Sequence, residues 1–179
     1  MSRAALARCL LVAALLPSAG LADAPCLPLG GQIAFCPATA EWEGAFAVPI
    51  SGEPGGRMVE APPLVLEASR NIVDRTEYAT PDAALAMIES MLAQEALEDG
   101  DPAPTRRLRD VIVTDHATVA LDLYIEVMDG AEYPLAILLT EDDTDWLTLI
   151  LMADGPIEVD TFEQSARDLA AALRPATEE

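Results

Sequence analysis

The chain has 179 residues and carries 31 acidic side chains against 10 arginines, with no lysine, for a formal net charge of −21. A field of that sign repels nucleic acid and anionic lipid head groups, which excludes both as partners. One histidine and three cysteines are too few for the clustered ligands of zinc or copper sites, and no cofactor is expected.

Residues 1–24 read as a secretory signal peptide. Arg3 and Arg8 give the positive start, Cys9 to Leu16 the short apolar stretch, and Ala22-Asp23-Ala24 the small-x-small cleavage pattern. The apolar run is about half of the roughly 20 residues that span a bilayer, so no membrane anchor is expected after cleavage. Pro25 stands where a lipoprotein signature at Cys26 requires a small residue, which argues against lipidation. Cleavage removes Asp23, Arg3 and Arg8 and leaves 155 residues, with 30 acids against 8 arginines and a net charge of −22. The expected destination is the bacterial periplasm, and the expected organisation one domain over residues 25–175 with a frayed tail at 176–179. Cys9 departs with the leader, so Cys26 and Cys36 remain as an even pair in an oxidising compartment, where a disulfide is expected. It would contribute roughly 3 kcal/mol and pin the new N-terminus to the first strand. Nine residues separate the two, unlike a Cys-x-x-Cys redox motif.

Gln32 to Cys36 reads as a short strand stopped by Pro37, and Ala45 to Ile50 as a second, ended by the loop Ser51-Gly52-Glu53-Pro54-Gly55-Gly56. Leu64 to Leu66 continue as a strand after Pro62-Pro63. Thr80-Pro81 opens a helix whose apolar stripe is Leu85, Ile88, Met91 and Leu92, and Gly100 with Pro102 ends it. From Val111 to Met152 the pattern predicts a four-stranded antiparallel meander. Val111 and Val113 alternate in its first strand and Val119 to Val127 in its second, then Asp129-Gly130 turns. Tyr133 to Thr140 and Trp146 to Met152 are apolar on both faces, so each face of the sheet needs a cover. Asp160 and Glu163 have the spacing of a capping box for the last helix, whose stripe is Phe162, Ala166, Leu169 and Leu173. Arg167 and Arg174 suit its C-terminal end, and Pro175 stops it. The expected fold class is α+β, an antiparallel sheet with the two helices covering both faces.

This order of elements resembles the PsbP-like α/β/α sandwich, and within it the small bacterial periplasmic proteins of DcrB type. The resemblance runs from about Gly31 to Arg174. It is carried by GGQIAFCPATAEWEG at residues 30–44, by LYIEVMDGAEYPLAILLTEDDTDWLTLILMADGP at 123–156 and by FEQSARDLAAAL at 162–173. These are packing and turn residues with no catalytic motif among them. The resemblance implies an accessory or binding role rather than catalysis.

The residues themselves nominate little chemistry. His116, beside Asp115, is the one candidate general base for a hydrolase, with Ser51, Ser69, Ser90 or Ser165 as nucleophile, but none lies in a Gly-x-Ser-x-Gly elbow. Glu141, Asp142, Asp143 and Asp145, and again Glu98, Asp99 and Asp101, offer oxygens to a hard cation without the ligand order of an EF-hand. The plain reading of both is a solvated turn, and weak calcium binding at 141–145 is the alternative. Trp42 and Trp146 read as packing residues or as the wall of a ligand cleft. The pattern points to an exported, acidic, non-enzymatic accessory or binding protein of the bacterial envelope, acting through protein–protein contact. A basic periplasmic protein is the partner its charge would suit.

Overall fold

The computed structural model describes residues 26–70, 72–128, 130–143 and 145–176. The expected leader at 1–24, the tail residues Thr177 to Glu179, Asp129 of the Asp129-Gly130 turn and Thr144 of the acidic turn lie outside them.

Ten strands and two helices follow in the order β1 (Leu27–Gly30), β2 (Ile33–Phe35), β3 (Phe46–Pro49), β4 (Arg57–Ala61), β5 (Leu64–Ser69), α1 (Pro81–Asp99), β6 (Thr105–Val113), β7 (Thr118–Met128), β8 (Ala131–Asp142), β9 (Asp145–Ala153), α2 (Val159–Ala171) and β10 (Leu173–Pro175). They form two antiparallel sheets where the sequence suggested one. The larger has the order β3-β4-β5-β9-β8-β7-β6 and the smaller β1-β2-β10. The larger is two meanders joined at one seam. The predicted meander supplies β6 to β9, the early strands supply β3 to β5, and β5 pairs with β9 from Leu64 opposite Ala153 to Ser69 opposite Thr148. The class is α+β, with all strand pairs antiparallel.

Period-two alternation divides the core. Leu121, Leu123, Leu138, Leu149 and Leu151 pack in one cluster with Phe162, Ala166 and Leu169 of α2. Tyr124, Leu135, Ile137, Leu139 and Trp146 pack in another with Ala84, Leu85 and Ile88 of α1. Helix α1 begins as its sequence indicates. Thr80 Oγ1 accepts from the Ala83 N–H at 3.3 Å, Pro81 takes the first helical position, and Gly100 closes the helix with φ of +83°. Met91, predicted in the buried stripe, is 46% exposed, because the cluster is reached instead through Ala84, Leu85 and Ile88.

Helix α2 departs further from expectation. Glu158 precedes its first residue and no side chain caps it, so the Asp160–Glu163 capping box does not form. Each of those acids has an arginine instead: Arg107 lies 2.7 Å from Asp160, and Arg167 pairs with Glu163 and Asp110. The helix stops at Ala171, and Leu173 to Pro175 turn out to be a strand beside β2. Arg174 still meets the helix end from there, donating to the carbonyl of Ala171 at 2.6 Å. In the small sheet, Cys26 and Cys36 are disulfide-bonded across the β1–β2 hairpin, with Cα atoms 4.1 Å apart. Ala176, expected in the frayed tail, donates its N–H to the Gln32 carbonyl at 2.6 Å.

Asp122 of β7 is fully buried on the α1 side. A bulge at Arg107 lets Arg106 and Arg109 approach it from β6 together. Arg109 Nε donates to one oxygen at 2.7 Å and Nη2 to the other, while the Tyr124 hydroxyl donates at 2.9 Å. Arg106 then continues to Glu89 on α1 at 2.7 Å, tying helix to sheet. The hydrogen bond to Asp122 raises the Arg109 pKa, so this guanidinium stays charged. Burial, then the carboxylate, raises that of Tyr124, which stays a neutral donor. Removing one partner of a buried pair strands the other. Arg109→Leu is therefore expected to lower stability by about 3 kcal/mol in urea unfolding, with part regained when Asp122→Leu is added. A single variant as stable as the parent would overturn this role.

Candidate groove between helix α1 and the sheet

The predicted site residues do not converge. His116 is exposed in the turn between β6 and β7, where Thr114 Oγ1 accepts its backbone N–H at 3.1 Å. It borders a hollow of about 460 Å³ with Val111, Thr118, Thr140, Glu141 and Trp146, and no serine lines that hollow. Ser69 is buried and donates to Glu53, Ser165 is buried and donates to Glu41 and to the Thr161 carbonyl, and Ser51 and Ser90 are exposed elsewhere. The hydrolase constellation is therefore not assembled around His116. Both tryptophans are core residues. Trp42 meets Phe35 edge to face at 4.8 Å, and Trp146 donates its indole N–H to the Tyr78 carbonyl at 2.7 Å beneath the Arg75 guanidinium.

The acidic turn between β8 and β9 is held by arginines. Arg75 lies 2.8 Å from Glu141 and donates to the Asp143 carbonyl at 3.0 Å. Arg70 lies 3.0 Å from Asp142 and 3.0 Å from Asp145. Asp142 is buried, and its second oxygen accepts the Gln32 N–H at 2.8 Å. The carboxylates of Glu141, Asp142 and Asp145 are thus engaged by guanidinium groups, that of Asp142 by a backbone N–H as well.

The other acidic run leads to a place that the sequence did not single out. Asp99 and Asp101 stand at the mouth of a groove of about 360 Å³ between the C-terminal half of α1 and the sheet. Buried Leu135 and half-buried Leu92, Ile150 and Met152 make its base, and Val127 and Met128, at the end of β7, are partly exposed along it. Every polar side chain in the lining is a carboxylate: Glu67 from β5, Glu95 and Asp99 from α1, Asp101 from the following link, and Glu126 from β7. Among the described residues, none of these five has an arginine within ion-pair distance, and no three His, Cys, Asp or Glu side chains converge on one point as metal ligands. The acids are spread around an apolar floor. Register explains how they arrive there, because Glu67 sits opposite Ile150 in the β5–β9 ladder and Glu126 follows Ile125 near the end of β7. A warning was present in the sequence, where single glutamates interrupt strands that are otherwise apolar.

With this geometry the chain can be compared with known proteins. No protein-family model matches it, and no curated protein matches it. Among solved structures it is similar to the solution structure of cyanobacterial PsbP (CyanoP) from Synechocystis. The identity is 13% over 85% of this chain and 98% of that one, with a TM-score of 0.52. The fold is PsbP-like. A Pseudomonas aeruginosa protein of unknown function is also similar, at 18% identity over 76% of this chain and 81% of that one, with a TM-score of 0.38. The Cys26–Cys36 disulfide suits an oxidising compartment. No helix among the described residues is long and apolar enough to cross a membrane.

The groove has an electrostatic signature. Burial, and then repulsion from Glu95, raises the Glu126 carboxyl above its ordinary value of 4.5. For an acid shifted this way, the contribution to stability is complete below the unfolded-state pKa and is lost as pH rises through the higher folded-state value. Carboxyl-detected NMR of residues 25–179 is expected to place the Glu126 midpoint above the normal glutamate range. Glu95→Gln should move it down. A midpoint at or below the normal range would contradict the groove environment.

Proposed function

We propose that this chain is an exported accessory or binding protein of the bacterial envelope, working in the periplasm by contact with a basic protein partner rather than by catalysis. The observation that carries this reading is the α1 groove, whose five carboxylates have no arginine beside them. All eight described arginines are engaged elsewhere. Six meet acidic side chains, and Arg57 and Arg174 donate to backbone carbonyls. The arginines meet acids at the β8–β9 turn, at Asp122 and along α2, and none meets those of the groove. Charge on that scale guides encounter and selects partners more than it sets raw affinity.

The finer architecture belongs to the same reading. One helix to each face of the large sheet, as in an α/β/α sandwich, is supported by the separate core clusters of α1 and α2. Entry into the periplasm is supported by the leader pattern of residues 1–24 and by a disulfide that needs an oxidising compartment.

The test is capture from periplasmic extract by the mature protein, beside a variant carrying Glu95→Gln, Asp99→Asn and Glu126→Gln. A basic protein retained at low salt, released as ionic strength rises and lost in the variant is the expected result. Equal capture by parent and variant would move the contact away from the groove. Failure to retain any basic protein would end this reading.

A further inference from the structure

The groove is more than a ring of charge, because its apolar surface continues past its mouth. Val127 and Met128 are 39% and 41% exposed where they line it. Leu97, on α1 next to the lining residue Ala96, is 78% exposed. A small amine seated among the carboxylates would leave these side chains in water, whereas a polypeptide carrying both apolar and cationic groups would cover them. The cavity, at about 360 Å³, has room for one large apolar side chain above Leu92, Leu135, Ile150 and Met152. The carboxylates stand on both sides of that floor, Glu95 and Asp99 on the helix and Glu67 and Glu126 on strands, so an entering apolar residue would need positive charge on both flanks.

Resting on the functional reading above, we infer that the groove recognises a cationic amphipathic segment of its partner. An apolar side chain is anchored on the floor between α1 and the sheet, and flanking lysines or arginines meet Glu67, Glu95, Asp99, Asp101 and Glu126. Helix-in-groove docking works on this plan, with an apolar anchor for affinity and charges for orientation. Attraction to the incoming cations opposes the burial and the repulsion from Glu95 that raise the Glu126 carboxyl, so docking draws the proton off a protonated Glu126.

The experiment is calorimetry of the mature, disulfide-bonded protein with three probes. They are a synthetic amphipathic leucine–lysine peptide, a glycine–lysine peptide of the same charge, and spermine. The protein is used as parent, as Glu95→Gln/Glu126→Gln, as Val127→Ser/Met128→Ser, and as Glu43→Gln/Asp154→Asn. The last removes the same charge from exposed positions outside the groove lining. Circular dichroism checks the fold of each. The leucine–lysine peptide is expected to bind tightest, to weaken about tenfold in either groove variant and to change about twofold or less in the control. Its binding should also release protons at acidic pH, read from two buffers of different ionisation heat, and lose that release in Glu95→Gln/Glu126→Gln. Spermine or the glycine–lysine peptide binding as tightly as the amphipathic one would overturn this inference while leaving a cation-binding groove in place. So would a Val127→Ser/Met128→Ser protein that binds like the parent. Absence of binding by all three probes would overturn both readings.

Discussion

The ladder between β5 and β9 is the constraint on which this molecule rests. It joins two meanders that are each local in sequence, and it closes the long excursion through α1 and β6 to β8. Long-range antiparallel pairing carries its loop-closure cost before its contacts form. The seam recovers that cost through a run of apolar residues, buried Leu64, Leu66 and Ala68 opposite half-buried Ala153 and buried Leu151 and Leu149. Helix α1 spans the excursion, so its position over the sheet follows from the seam. The groove follows in turn, with one wall from the helix, one from the end of β7 and its base from β8 and β9 beside β5.

Scarcity of positive charge gives the surface its character. Eight arginines serve thirty acids from residue 25 onward, and each of these arginines holds a structural position. Arg70 and Arg75 fasten the loop after β5 to the β8–β9 turn, and Arg106 and Arg109 fasten β6 to Asp122 and α1. At Asp142 the close fit extends to the small sheet. Gly31 has φ of +58° in the β1–β2 turn, and a Cβ built there would lie 1.8 Å from an Asp142 oxygen. Only glycine lets that turn approach the buried carboxylate that accepts the Gln32 N–H.

The elements with strong local signals were legible in sequence. Thr80-Pro81 and Gly100 bound α1, and the alternation of β7 with the doubly apolar β8 and β9 placed the centre of the large sheet. The failures have physical causes. Strand β4 is short, carries Arg57 and Glu60, and lies between Gly55-Gly56 and Pro62-Pro63, so its composition resembles a loop; its pairing with β3 and β5 makes it a strand. Leu173 continues the apolar stripe of α2, and only its partner β2 turns it into a strand. Val111 and Val113 alternate as expected but stand 57% and 74% exposed, because β6 is the sheet's edge. The groove was hidden for a different reason. Its acids come from three strands' worth of sequence distance, and each looks like an ordinary solvated charge until the β5–β9 register and the helix bring them to one cavity.

The first and last described strands, β1 and β10, flank the same central strand, β2, and Ala176 is hydrogen-bonded back to Gln32. The Cys26–Cys36 bond links the beginning of that sheet covalently to the end of β2, where the Cys36 N–H meets the Ala172 carbonyl at 3.0 Å. Mechanical load applied at either end of the chain therefore enters through one three-stranded sheet. From the N-terminal side, the covalent crosslink carries the load past the β1–β2 hairpin before any of its hydrogen bonds is stretched. Both ends of the described chain thus meet in one three-stranded sheet, apart from the strands that line the groove.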